Sequence, residues 1–109
     1  MAYDEALAER VRTIIGARSA VTERKMFGGI AWMVGGNMAC GVLGDDLAVR
    51  LALEDAERAM AEPYTRPFDM TGRPARAFVV VAGDAVADEA DLVRWVDAAA
   101  DFASSLPPK

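Results

Sequence analysis

The apolar positions of this chain follow two rhythms. Leu7, Val11, Ile14 and Ile15 recur at i, i+4, i+7 and i+8, one helical stripe over about residues 4–17, with Glu5, Glu9 and Arg12 turned outward. Asp4 and Glu5 sit in the first turn, at the positive end of the helix dipole. A second stripe (Leu92, Trp95, Val96, Ala99, then Phe102 or Ala103) predicts a final helix starting near Asp88 and stopped by Pro107-Pro108. Glu54 to Ala61 is rich in helix formers and runs into Pro63, which predicts a short helix between the two.

Between these helices the pattern is that of strands. Met26 to Val34 is an apolar, glycine-containing run, closed by Gly35-Gly36-Asn37, residues that tolerate the positive φ of a hairpin. Met38 to Leu43 is a second run, ended by Gly44-Asp45-Asp46, and Leu47 to Leu51 alternates apolar and polar. Tight turns between three such runs predict an antiparallel meander. Tyr64 to Pro74 reads as extended around Phe68, an edge-strand candidate, and Ala77 to Val81 as a β-branched strand. The expected order is α-β-β-β-α-β-β-α, an α+β domain over residues 1–109 with helices packed on an antiparallel sheet.

Two strands are apolar on both faces. Met26, Ile30, Trp32 and Val34 share one parity, while Phe27, Ala31 and Met33 share the other; Val79 and Val81 alternate with Phe78 and Val80. A sheet covered on one side should alternate apolar and polar. The expectation is that another protein chain covers the second face, most simply a second copy. Met26, Phe27, Trp32 and Met33 are the expected contact residues, with Arg24, Lys25 and Arg73 as a polar rim.

Composition narrows the chemistry. Apolar residues are 53% and charged residues 27% of 109, which excludes a disordered chain. The net charge is −5, with two basic against six acidic residues in 77–109, which argues against direct binding to nucleic acid or an anionic membrane. No apolar run reaches the length of a membrane span, and one cysteine points to the reducing cytoplasm. There is no histidine, so the commonest general base and metal ligand are both missing. Cys40, within Met38 to Val42, reads as a small buried hydrophobe, and no catalytic residue, metal or cofactor is expected. Gly28-Gly29 lacks the spacing and the following Lys of a phosphate loop, and reads as a bend or a close strand contact. The alternative function is a small-anion site, or a minor enzyme, built on Arg50, Arg73 and Arg76.

Lys25-Met26-Phe27-Gly28-Gly29-Ile30, Gly36-Asn37-Met38-Ala39, Gly72-Arg73-Pro74, Phe78 to Val81 and the closing Ser105-Leu106-Pro107 together resemble the TfoX (Sxy) N-terminal domain. The resemblance implies a secretion-chaperone-like α+β fold and a non-enzymatic, regulatory protein-interaction role. Full-length relatives regulate natural competence and act with the cyclic-AMP receptor protein at promoters, so a transcription regulator is an implied partner. They carry a second, C-terminal domain; the expectation here is a stand-alone first domain. Gly28, Gly29, Gly72 and Pro74 are implied as structural residues of turns and close strand contacts.

Overall fold

A computed structural model describes residues 3–26, 28–69 and 74–109. Its first helix, α1 (Glu5–Ile15), is capped by Asp4, whose carboxylate accepts from the amides of Ala6 and Leu7 at 2.9 and 3.1 Å. Four strands follow: β1 (Val21–Met26), β2 (Gly29–Val34), β3 (Asn37–Leu43) and β4 (Asp46–Arg50). Then come α2 (Leu53–Ala59), β5 (Thr65–Asp69), β6 (Pro74–Val81), a 3-10 turn over Gly83–Val86 and α3 (Glu89–Ser105). The α+β class and the antiparallel sheet stand as expected. The order is α-β-β-β-β-α-β-β-α, one strand more than the pattern predicts.

The added strand is β1. Its residues Thr22 to Lys25 are exposed and polar, so no alternation announces it. It forms because β2 offers it a full antiparallel register, from Val21 opposite Val34 to Met26 opposite Gly29. The single run Met26–Val34 is therefore two strands joined at a turn. Gly28 sits in that turn with φ at +75° and nothing within 4 Å of where a Cβ would stand. Gly29 is required for a different reason: a Cβ there would lie 2.3 Å from the Val42 carbonyl oxygen.

The strands order as β1-β2-β3-β4-β6-β5, all neighbours antiparallel. One face carries the helices. Ile30, Trp32, Val42, Leu47, Val49, Val79 and Val81 meet Leu7, Val11, Ile15, Leu92, Trp95, Val96 and Ala99 in one core, joined by Ala56 and Ala59 of α2. Asp88 caps α3 through Ala90 N at 3.4 Å, and the helix stops before Pro107. The tail past α3 is tied back to the β2–β3 hairpin. Asn37 Nδ2 donates to Pro107 O at 2.9 Å, and Lys109 N donates to Gly35 O at 2.8 Å.

The other face carries no helix among the described residues, yet its centre is closed. Register partners run across it as Arg24, Ala31, Gly41, Ala48, Val80 and Arg66. Ala31 and Ala48 are each 1% exposed. Met26 of β1 and Phe68 of β5, on the two edge strands, line the same 10 Å³ void as Ala31, Gly41 and Ala48. Side chains from both edge strands, with Met38 and Leu43 of β3, thus reach in over a floor of small residues. Phe68 is backed by Phe78, with ring centroids 5.4 Å apart. The centre of this face therefore needs no second chain to cover it, contrary to the expectation from the two-sided apolar pattern.

The two glycines separate steric from torsional cost. Gly29→Ala should lose about 3 kcal/mol of stability, because backbone has to move to admit the methyl. Gly28→Ala should lose only about 1 kcal/mol, the cost of a non-glycine residue at positive φ. With about 4–8 °C of Tm per kcal/mol at this size, thermal melts resolve the two, and equal losses would contradict this account.

Candidate functional site

The candidate surface begins on β1, an edge strand with one row of backbone groups unpaired within the sheet. Arg24 and Lys25 are exposed there and make no ion pair among the described residues. Their neighbour Glu23 is occupied. It accepts from Arg12 Nε at 2.7 Å and from the Trp32 indole N–H at 2.9 Å, both at Oε1. The Arg12 hydrogen bond, aided by Trp32, holds the Glu23 carboxyl below its ordinary range. Glu23 thus fastens the edge strand to α1 and β2, while the two cations beside it stay open to solvent.

The structure distributes the expected contact residues unevenly. Trp32 is 1% exposed and Met33 7%, so both belong to the interior and not to a contact surface. Trp32 fills the helix-side core and spends its polar N–H on Glu23. Met26 is half-buried at the β1 edge. Phe27, Gly72 and Arg73 lie outside the described residues. Pro74 opens β6 opposite Asp69.

The arginines expected to gather an anion point to different partners. Arg50 sets its guanidinium 5.7 Å from the Phe102 ring centre in α3. Arg76 reaches Glu57 in α2 at 3.5 Å. Between them they build no common cradle. Arg66, at the end of the small-residue row, is held by Asp46 at 2.8 Å.

Among the described residues neither an activated nucleophile nor a set of metal ligands assembles. Cys40 is fully buried, and burial pushes its thiol up to about 12. Among the described residues no three His, Cys, Asp or Glu side chains converge as a metal site. Among the described residues no helix is long and apolar enough to cross a membrane.

Open clefts lie elsewhere on the described surface. One, of 480 Å³, lies between the α1–β1 connection and the tail, walled by Ala20, Val34, Ala103, Leu106 and Pro108. Arg18 at its rim is already paired with Asp97 and Asp101. Another, of 220 Å³, lies between α2 and α3, with Trp95, Ala98 and Phe102 on one wall. The sequence reading placed Trp95 and Phe102 in the core stripe. Their spacing with exposed Ala98, at i, i+3 and i+7, is the signal that α3 has a second apolar flank.

A family model for the TfoX N-terminal domain matches residues 13–103. No curated protein and no solved structure matches the chain significantly.

The Glu23 knot should be visible in pH titrations. A carboxyl held low in the fold contributes fully above the ordinary carboxylate range and fades as pH falls through its folded value. Glu23→Gln should therefore cost about 0.5–1 kcal/mol near neutral pH, a figure kept small because the side chain is 39% exposed. Urea melts across pH should show that gap narrowing in acid; a gap independent of pH would refute the assignment. Cys40 should ignore a water-soluble thiol reagent in the native protein and react in full after denaturation. Rapid labelling of the folded chain would contradict its burial.

Proposed function

Because the chain belongs to the TfoX N-terminal domain family, we propose that it works by contact with another protein, in a regulatory role, and not by catalysis. The observation that carries this reading is the pair Arg24 and Lys25: exposed on an edge strand of a protein of net charge −5, without ion-pair partners among the described residues. Charges on an edge strand discourage indiscriminate strand pairing, and they also select a partner of opposite charge. Met26 lies at the end of the same strand, and Phe68 shares its void at the other edge.

On this reading the partner presents acidic side chains to β1, with a second copy of this acidic chain as the simplest case and a transcription regulator as the one the family suggests. Competence control and a cytoplasmic location follow as parts of the same proposal. A catalytic role is disfavoured by a thiol pushed up to about 12 and by the lack of a histidine.

The experiment is a charge reversal. Sedimentation gives the solution mass against the 11.6 kDa of one chain, and affinity capture from the native host gives any heterologous partner. Arg24→Glu with Lys25→Glu should reduce self-association or partner capture at least about tenfold, with the fold retained because neither side chain is packed. A lone 11.6 kDa species with no stoichiometric partner, or full retention of binding by the double variant, would overturn the proposal.

A further inference from the structure

The two edges of the sheet are guarded differently. β5 carries Pro67, which has no N–H to offer a neighbour, and a bulge between Pro67 and Phe68. β1 has neither: it pairs with β2 in unbroken register from Val21 to Met26, and Thr22 to Lys25 are exposed in succession. Among the described residues, no backbone–backbone hydrogen bond outside the β1–β2 ladder ends on Val21–Met26. A regular, uncovered strand of this kind is a template for one more strand.

The side chains of β1 say which strand it would take. Arg24 stands opposite Ala31 and so lies on the helix-free face, whereas Lys25, opposite Ile30, lies with Glu23 on the helix side. Glu23 is held by Arg12 and Trp32, while neither cation has an ion-pair partner among the described residues. An added strand therefore meets one cation on each face, at adjacent positions, and calls for a carboxylate opposite each. A second β1 does not meet this demand. In a two-fold antiparallel pair of identical strands one residue must stand opposite its own copy, because opposed side chains share a face. Any two-fold register that overlaps most of β1 sets Glu23 against Glu23 or Arg24 against Arg24, like charges in direct opposition.

We propose that β1 accepts an extended acidic segment of another protein as an added antiparallel strand, with adjacent carboxylates opposite Lys25 and Arg24. The antiparallel sense is that of every pair in the sheet. This inference rests on the protein-contact reading and deepens it: backbone hydrogen bonds along β1 make the contact, and charge selects the sequence.

The test is an amide NMR titration of the full chain with the end-capped peptide Val-Glu-Glu-Thr-Thr-Val, which sets Glu opposite Lys25 and Arg24. Saturable shifts are expected along Val21–Met26, and alternate β1 amides that exchange freely in the unbound protein should become protected. Two versions of the peptide, each N-methylated at alternate residues, should differ: the one lacking donors toward β1 does not bind, and the other does. The peptide with Lys-Lys in place of Glu-Glu should not saturate. Arg24→Gln with Lys25→Gln should weaken the Glu-Glu peptide at least about tenfold. The proposal is overturned by no saturation below about 5 mM, by shifts mapping away from β1, or by equal behaviour of the two methylated peptides. Equal binding of the Lys-Lys peptide, or undiminished binding to the double variant, would overturn it too. A native partner whose capture still depends on Arg24 and Lys25 would then leave the protein-contact reading standing, so the two fail separately.

Discussion

The row of small side chains across the helix-free face (Ala31, Gly41 and Ala48) governs the shape of this molecule. A flat six-stranded sheet with helices on one side would leave its other side wet, and an apolar wet side would invite aggregation. Here the middle of that side is a row of small residues, and Met26, Phe68, Met38 and Leu43 surround it closely enough to leave a void of only 10 Å³. Gly41 shows how little room remains: a Cβ would lie 2.8 Å from the Ile30 carbonyl oxygen and 3.5 Å from Ala31 Cβ. Bulges between Trp32 and Met33, and between Pro67 and Phe68, bend the strands locally.

This packing also decides which parts of the surface remain for other molecules. The sheet's apolar interior is used up internally, and the helices are used up by the core they share with Trp32 and its neighbours. What remains is the β1 edge with Arg24 and Lys25, the exposed side chains of Leu53, Met60 and Tyr64, and the clefts along α3. On a chain of net charge −5 these cations stand out because most of the others are bound to carboxylates within the fold. The edge strand offers charge without a partner in the fold, whereas the α2–α3 cleft offers the apolar wall of Trp95, Ala98 and Phe102 with its charges already paired.

Much of the fold was legible in the sequence because local rules and tertiary demands agree there. The helix stripes of Leu7 and Val11 and of Leu92, Trp95 and Val96 predict α1 and α3, with the cap Asp88 where side-chain chemistry puts it, whereas Asp4, read as a first-turn residue, caps α1 instead. Gly35-Gly36 and Gly44 mark turns, and each has positive φ. The reading of Gly28-Gly29 as a bend and a close strand contact also holds, with one glycine serving each purpose. The site was less legible. Trp32 and Met33 look like contact residues because they are large and apolar, but size says nothing about which neighbour covers them. Arg50 and Arg76 look like a pair because the chain is rich in arginine there, but adjacent strands send them to different helices.

By itself the sequence determined the α+β class, the antiparallel meander, the two long helices, and the absence of histidine chemistry. Those follow from period, turn residues and composition, which act within a few residues of one another. Only the tertiary structure decided that Val21–Met26 is a strand, since an exposed edge owes its conformation to the partner's hydrogen bonds and not to its own side chains. It also decided that the second apolar face closes upon itself. That outcome depends on small residues from three strands lying side by side, which the pattern within any one strand does not show.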